Sequence, residues 1–279
     1  MRTIETGQIT ETVARLSIHA NRYLPKDVAD ALQKARGEEP WPPAREVLSH
    51  LEENVRLAAE RQVPICQDTG MACVYIELGQ DVHIDGSLED AVNEGVRRGY
   101  TEGFLRKSIV RDPLRRVNTE DNTPAFLHLR LVPGDRCRIT VMPKGCGAEN
   151  MSRLAMLKPA DGLEGVKAFV LETVRLAGSN PCPPTVLGVG IGGGFDTAPV
   201  LAKHALLRPL SEPNPDPFYA ALEKEWLEEI NELGIGPQGF GGRTTCLSLA
   251  IETAPTHVAS LPVAVSVSCH ATRRAEALL

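Results

Sequence analysis

The amino-acid sequence predicts an α+β (mixed α/β) fold, in which N-terminal helices surround a mixed or antiparallel sheet. Three observations predict this class. Apolar residues in the first sixty positions recur at three- and four-residue steps, which is the period of a helix. Two later runs, at 126–132 and 137–142, alternate as strands do. Strand and helix patterns then mix to the end of the chain without an internal repeat or linker, so we expect a single domain over residues 1–279.

The N-terminal region is predicted to be helical as far as Pro64. One apolar stripe consists of Leu48, Leu51, Val55 and Ala58. Pro25 is suited to the first position of an earlier helix, because its missing N–H would have no partner there in any case. After Pro64, the pattern predicts a strand over 72–78 and a helix over 88–96.

The central region is predicted to contain a β-hairpin. The alternating runs FLHLRLV (126–132) and CRITVM (137–142) are separated by Pro133, Gly134 and Asp135, which favour a tight turn. Helical segments are predicted to follow at 149–158 and 161–177.

The C-terminal region is predicted to combine strands and helices. In order, we expect a strand over 185–190, a helix capped by Asp196 and running to Arg208, a proline-rich loop at 211–217, a helix over 218–233 that stops at Gly234, and strands over 244–252 and 262–268. We expect binding residues at the loop ends of this sheet.

Composition excludes several classes of protein. The 279 residues include 30 basic and 36 acidic side chains, a net charge of −6, and aromatic residues make up only 4%. Neither a basic surface nor a base-stacking platform for nucleic acid is therefore expected. No run of eighteen apolar residues appears, and the N-terminus lacks the apolar core of a signal peptide. We expect a cytoplasmic chain with no membrane partner.

The seven cysteines are the most informative residue type. Their odd number, and a reducing cytosol, argue against disulfides. No CxxC motif occurs, which excludes zinc ribbons, thioredoxin-like motifs and clustered-cysteine ferredoxins. A cysteine in a strand-like run is best explained by packing, and this group consists of Cys73, Cys137 and Cys246.

Other cysteines lie at turns rich in glycine, proline or polar residues. Cys66 begins CQDTG, Cys182 lies within NPCPP, and Cys269 follows a predicted strand. Binding residues are often held in such loops. Cys146, in KGCGAEN, also lies in a glycine-rich turn and remains ambiguous on local sequence alone.

Four segments together resemble a known family. They are CQDTG (66–70), PKGCGAENMS (143–152), NPCPPTVLGVGIGGGFDTAPVLAKHALL (180–207) and THVASLPVAVSVSCHATRR (256–274), with GPQG (236–239) as a further match. In this order, over nearly the whole chain, they resemble the α subunit of the iron–sulfur hydro-lyases, the family of class I fumarate hydratase and L-tartrate dehydratase.

The resemblance implies a 4Fe–4S cluster held by Cys66, Cys182 and Cys269, with one iron left open as a Lewis acid. Cys146 stands where many members have glycine, so it is interpreted as a non-ligand. The implied activity is reversible hydration of fumarate to L-malate, since KGCGAEN and NTEDNTPAF (118–126) resemble the fumarase α chains more. L-Tartrate or a methylated fumarate analogue remains an alternative substrate.

The resemblance also implies site residues by position. Asp68 and His257 are the implied catalytic residues, and Gln67, Arg106 and Gly147 the implied substrate-binding residues. Arginine suits a substrate carboxylate because its fork donates two parallel hydrogen bonds. Glycine lets a backbone amide approach the substrate. On local sequence alone, Arg106 could equally be a surface cation and His257 a core residue.

Fused members of the family carry a second, C-terminal domain. The resemblance therefore implies a separate β subunit, which would contribute carboxylate-binding groups and the catalytic base. The expected assembly is a heterotetramer with contact between α subunits, acting on a small dicarboxylate such as fumarate or malate.

Three other interpretations compete with this one. Gly188, Gly190 and Gly193 fit the GxGxxG outline of a dinucleotide site, but a proline-rich loop replaces the strand and acidic residue that should follow. An electron-transfer or redox-sensing iron–sulfur protein would need a fourth ligand, for which Cys146 is the loop candidate. A non-catalytic scaffold would use all its cysteines for packing.

Overall fold

A computed structural model describes residues 2–279. This part of the chain forms eight α-helices and ten β-strands in three sheets, which confirms the predicted α+β class. In chain order the elements are β1 (Arg2–Glu5), α1 (Thr6–Arg22), α2 (Lys26–Glu38), α3 (Pro42–Arg61), β2 (Met71–Gly79), β3 (Val82–Asp85), α4 (Leu88–Glu102), β4 (Phe126–Val132), β5 (Cys137–Lys144), α5 (Cys146–Glu149), β6 (Arg153–Leu157), α6 (Gly162–Ala177), β7 (Thr185–Gly193), α7 (Thr197–Ala205), α8 (Pro217–Glu232), β8 (Cys246–Thr256), β9 (Leu261–Ser268) and β10 (Ala275–Leu278).

The chain divides into two compact units, each made of separated segments. The first unit comprises Met1–Pro25, Asn54–Cys146 and Arg273–Leu279, and the second comprises Lys26–Glu53 and Gly147–Thr272. Both α3 and α5 contribute residues to each unit. The single domain expected over residues 1–279 stays a prediction.

The main sheet of the first unit has the strand order β10-β5-β2-β4. The predicted hairpin of β4 with β5 is wrong, because β2 lies between them and pairs parallel with β4 and antiparallel with β5. The connection at 133–136 crosses the end of β2 instead. There Gly134 O accepts a hydrogen bond from Asp81 N, and Arg136 O accepts one from Gly79 N. The carbonyl groups of this turn therefore accept the backbone N–H groups at the C-terminal end of β2.

Helices α1 and α4 pack together against the core of the first unit. Two glycines of α4 make the close approach possible. A Cβ on Gly95 would lie 2.7 Å from Val13 Cβ, and one on Gly99 would lie 2.8 Å from Ala14 O. The core combines apolar side chains of α1 and α4 with those of β2 and β5. A second, two-stranded sheet pairs β1 parallel with β3.

The sheet of the second unit has the order β6-β9-β7-β8. Across this sheet the strand pairs are antiparallel, antiparallel and parallel, in the same order as in the main sheet of the first unit. The helix predicted over 149–158 is wrong, since residues 153–157 form β6 and pair with β9. Only α5, of four residues, is helical near this position. Pairing with a strand more than a hundred residues away overrides the local helical pattern.

Helix α7 packs directly on β7, whereas α6 and α8 share the core formed by the alternate residues of β7 and β9. The glycines of the GxGxxG outline explain this packing. A Cβ on Gly188 would lie 2.0 Å from Ala202 O, and one on Gly190 would lie 2.1 Å from Ala198 O. Asp196 precedes α7 but makes no side-chain cap, and α7 ends at Ala205 rather than Arg208. These glycines therefore serve helix packing.

The remaining predicted elements are confirmed, with their ends shifted by a few residues. They are the helices corresponding to α2, α3, α4, α6 and α8 and the strands corresponding to β2, β4, β5, β7, β8 and β9. The short edge strands β1, β3 and β10 were not predicted. Within residues 2–279, every helix is too short or too polar to span a membrane.

Candidate functional site

The seven cysteines divide by exposure. Cys73, Cys137 and Cys246 are buried within strands, as their patterns predicted. Burial raises the pKa of both Cys137 and Cys246 to about 11, so these two remain neutral thiols at physiological pH. By contrast, the cysteines in loops reach solvent: Cys66, Cys146 and Cys182 are exposed and Cys269 is half-buried. Only the loop group offers sulfur atoms to an external ligand.

In the first unit, Cys66 lies in the loop between α3 and β2. Cys66 and Gln67 are exposed, and Asp68 is half-buried. The Thr69 hydroxyl donates a hydrogen bond to the carbonyl of Arg106 at 3.0 Å. This bond places Arg106, whose side chain is exposed, beside the CQDTG loop. The structure therefore brings together three predicted site residues, Gln67, Asp68 and Arg106, with Cys66.

Buried side chains of the first unit hold the carbonyl groups of this loop. The Tyr100 hydroxyl lies 3.0 Å from both Thr69 O and Gly70 O, and the Asn122 amide donates to Gly70 O at 3.2 Å. Burial raises the pKa of Tyr100 well above its usual range, which keeps the phenol protonated. Arg273 donates from Nη2 to Asp68 O. No role was predicted for these three residues.

Both carboxylate oxygens of Asp68 accept backbone N–H groups. Asp68 Oδ1 accepts from Gly70 N at 2.9 Å, and Oδ2 accepts from Cys146 N at 2.8 Å. A Cβ on Gly145 would lie 3.3 Å from Oδ2. The side chain thus ties its own turn to the KGCGAEN loop, and in this arrangement it orients backbone.

In the second unit, Cys182 and Cys269 lie at one edge of the sheet. Cys182 lies just before β7 and Cys269 just after β9, and these strands are antiparallel, with Val186 opposite Ser268. The start of β7 and the end of β9 therefore meet. Cys182 has a φ of 54°, a left-handed conformation that is uncommon outside glycine. The structure thus brings this predicted pair of ligands to one place.

Gly147 also lies near this edge of the second unit. It is exposed, and a Cβ there would lie 3.7 Å from Asn180 O, two residues before Cys182. Two residues without a predicted role, Gln238 and His270, hydrogen-bond to the Cys182 loop. Two sequence features could have pointed to these residues. Gln238 belongs to the GPQG motif, and His270 directly follows Cys269.

His257 lies elsewhere in the second unit. It belongs to the turn between β8 and β9, where Nδ1 accepts a hydrogen bond from Ala259 N at 3.1 Å. The whole of β9, eight residues, separates this turn from Cys269. At about 3.3 Å per residue, the strand spans roughly 26 Å. The structure does not bring His257 to the edge occupied by Cys182 and Cys269.

The donor set fits the iron–sulfur cluster that the sequence implies. Cysteine thiolates are the usual ligands of such clusters, and of the three implied ligands Cys66 and Cys182 are exposed and Cys269 is half-buried. Across residues 2–279, no group of three or more His, Cys, Asp or Glu side chains forms a site for a metal ion. The fit therefore concerns the chemistry and accessibility of the donors.

Comparison with known proteins gives a consistent family. The family model described as Fumarate hydratase (Fumerase) matches residues 10–278. A Methanocaldococcus jannaschii protein named "Putative L(+)-tartrate dehydratase subunit alpha" is 44% identical over 275 residues, covering 96% of each chain. The L(+)-tartrate dehydratase subunit alpha of Escherichia coli K12 is 33% identical over 277 residues, covering 98% of this chain and 91% of its own. The chain therefore belongs to the fumarate hydratase (Fumerase) family and is a hydro-lyase.

Proposed function

We propose that this chain is the cluster-bearing α subunit of a hydro-lyase that interconverts fumarate and L-malate. The observation that carries the proposal is the division of the cysteines into a buried strand group and an accessible loop group. The three cysteines implied as ligands all belong to the loop group. Family membership supplies the reaction class.

Cys66, Cys182 and Cys269 would hold a 4Fe–4S cluster, and Cys146 would not take part. When bound, a cluster with three protein ligands supplies a Lewis-acidic iron for the substrate hydroxyl and a carboxylate oxygen. The Asp68 carboxylate already accepts the N–H of Cys146, which gives Cys146 a separate structural place in the KGCGAEN loop.

Other residues of this chain would bind and orient the dianionic substrate. Arg106 is exposed beside the CQDTG loop and would donate a forked pair of hydrogen bonds to a carboxylate. Gln67 would donate its amide, and Gly147 its backbone N–H. Asp68, the implied catalytic carboxylate, also orients the loop, since each oxygen accepts one backbone N–H and keeps a further lone pair for substrate or water. A catalytic role for His257 stays a prediction, and its turn lies at the opposite end of β9 from Cys269.

L-Tartrate is the second candidate substrate. The relatives cited above carry names of tartrate dehydratase α subunits, and one of them is 44% identical to this chain. Malate and tartrate differ by one hydroxyl group, which a single polar contact can recognise. Both substrates use the same reaction class and the same ligand set.

A separate β subunit would complete the active site. The relatives are named as α subunits. This chain offers Arg106 for a substrate with two carboxylates, so a second cationic group and a catalytic base would come from the partner. The expected assembly is a heterotetramer with contact between α subunits.

Co-expression with a β subunit from the same genome tests the proposal. The pair, reconstituted without oxygen, should interconvert malate and fumarate, measured by absorbance of the fumarate double bond, while the α chain alone should be inactive or nearly so. Parallel assays with L-tartrate rank the two substrates. Full turnover by the α chain alone would contradict the two-subunit proposal, and a loaded pair inactive on every hydroxy-diacid would favour an electron-transfer role.

A further inference from the structure

We propose that Gln238 and His270 are positioning residues that hold the Cys182 and Cys269 segments of the second unit as a preformed pair of ligands. This inference rests on the proposed function, because that function assigns the two cysteines to the cluster. It adds two residues whose role would be exerted through the Cys182 loop that they contact. We call the two side chains together the bracket.

His270 connects the two cysteine segments directly. It follows Cys269 in the chain, and its backbone N–H donates to Cys182 O at 3.3 Å. Its ring Nδ1 lies 3.0 Å from the same carbonyl and 3.2 Å from Gln238 Nε2. With Nδ1 protonated, the ring donates to Cys182 O; with Nε2 protonated, Nδ1 accepts from the Gln238 amide. In the first tautomer the ring itself joins the segment after β9 to the segment before β7, and in the second it does so through Gln238, while the backbone bond from His270 N to Cys182 O is present in both.

Gln238 secures the next residue of the same loop. Its backbone N–H donates to Pro183 O at 2.7 Å, and its Nε2 donates to that oxygen at 2.8 Å. Two consecutive carbonyls of the loop, those of Cys182 and Pro183, are therefore held by donors from elsewhere in the second unit. The bond to the Cys182 carbonyl fixes the peptide plane that follows this residue, and the bonds to the Pro183 carbonyl fix the next plane of the loop.

Gln238 itself is rigidly supported. The segment around it is held at one end by Gly236 N, which donates to Thr245 Oγ1 at 3.2 Å, and at the other by Arg243 N, which donates to Glu39 Oε2 at 2.8 Å. Glu39 is fully buried. A buried carboxylate bonded to backbone N–H groups makes a firm anchor, since losing those bonds would leave it unsatisfied.

The backbone conformations of Cys182 and Gln238 support a role of the bracket in positioning the Cys182 loop. Cys182 and Gln238 both have left-handed φ angles, 54° and 53°, although neither is glycine. A side chain in this region costs about 1–2 kcal/mol, and such strain persists where the surroundings enforce it. Here the enforcing contacts converge on a proposed ligand. Ligands held before binding cost less conformational entropy when the cluster arrives.

Three variants and a control test the bracket in the full chain. Gln238→Asn keeps an amide and tolerates a left-handed φ, but its shorter side chain cannot reach Pro183 O. His270→Ala removes the ring, and His270→Asn restores a donor near the Nδ1 position. Gln62→Ala is the matched control, because Gln62 has a φ of 56° and also donates its amide to a backbone carbonyl, that of Ala59.

Two measurements separate the bracket from the cluster. In the cluster-free chain, hydrogen exchange at the amides of Cys182 and Thr185 and of residues 269–271 should become about tenfold faster in Gln238→Asn and His270→Ala, the effect of losing a net hydrogen bond or two. In the reconstituted chain, iron release to a chelator should accelerate similarly, and the electron paramagnetic resonance signal of the dithionite-reduced cluster should broaden. His270→Asn should restore both readouts towards wild type, and Gln62→Ala, which lies in the loop of Cys66 in the first unit, should leave hydrogen exchange at these amides unchanged.

Unchanged exchange and unchanged iron release in both bracket variants would overturn the inference while leaving the proposed function intact. Faster exchange without faster iron release would also overturn it, since the bracket would then be purely structural. A wild-type chain that takes up no cluster under anaerobic reconstitution would instead refute the proposed function, and the positioning role with it.

Discussion

Asp68 Oδ2 accepts the backbone N–H of Cys146 at 2.8 Å, so the CQDTG loop and the KGCGAEN loop of the first unit are joined by one carboxylate. The same side chain closes its own turn through Gly70 N. A residue implied by resemblance to be catalytic is thus engaged through both its oxygens. This contact explains how loops 78 residues apart are held together.

Replacing Asp68 should destabilise the first unit. Asp68→Ala leaves the buried Gly70 N–H without its acceptor, which should lower the free energy of unfolding by about 1–3 kcal/mol, measured by urea denaturation. Asp112 is the matched control, because it also accepts two backbone N–H groups, from Leu114 and Arg115, but in an exposed loop. An equal loss of unfolding free energy in Asp68→Ala and in the Asp112 variant would contradict a stabilising link from Asp68 to Gly70 and Cys146.

Tyr100 should stabilise the CQDTG loop through its hydroxyl. Tyr100→Phe removes a buried donor to Thr69 O and Gly70 O, and should cost about 1–2 kcal/mol in unfolding free energy. The control is Tyr23→Phe, since the Tyr23 hydroxyl accepts from Gln62 in an exposed position. A change in Tyr100→Phe no larger than in the control would rule out an anchoring role.

The glycines of β7 should not tolerate a methyl group. In Gly190→Ala the added Cβ would lie only 2.1 Å from Ala198 O, which is a steric clash. The substitution should destabilise the second unit by roughly 2–3 kcal/mol or more. Gly37→Ala, in α2 with nothing within 4 Å of the added Cβ, should be neutral or stabilising by up to about 1 kcal/mol. Thermal unfolding of the two variants compares them, and a stable Gly190→Ala chain would refute the account of α7 packing.

Stability should decrease at alkaline pH. The pKa of Cys246 is raised by burial from 9.0 to about 11, so the unfolded thiol loses its proton first. Between these values the unfolded state binds fewer protons, and the free energy of unfolding falls as pH rises, by on the order of 2 kcal/mol for this group. Cys246→Ala should flatten the slope between pH 9 and 11. A slope unchanged in that variant would contradict the assigned burial.

Much of the fold could be predicted from local sequence. Long amphipathic stretches such as α3 and α8 formed where their period placed them. The failures came from pairing between distant segments. The Pro133–Asp135 turn signal was correct, but β2, from earlier in the chain, inserts between the strands it connects. Residues 153–157 looked helical and became β6 because β9 supplies their partner.

The proposed ligands could be picked out from the sequence, whereas the residues that support their loops could not. Cys66, Cys182 and Cys269 stood out through turn-forming neighbours, and all three lie in accessible loops. Tyr100, Asn122 and Gln238 act on backbone carbonyls 30 to 55 residues away in sequence, so no local pattern announces them. The role of His257 stays a prediction, because the structure places it in the turn before β9 and no contact within residues 2–279 assigns it a function.

The central claim is most directly tested by the iron and sulfide content of the full chain reconstituted without oxygen, with electron paramagnetic resonance after reduction by dithionite. We expect about four irons for each wild-type chain, loss of the intact cluster in Cys66→Ser, Cys182→Ser and Cys269→Ser, and a normal cluster in Cys146→Ser. A normal cluster in any of the first three variants, or its loss in Cys146→Ser, would contradict the ligand assignment.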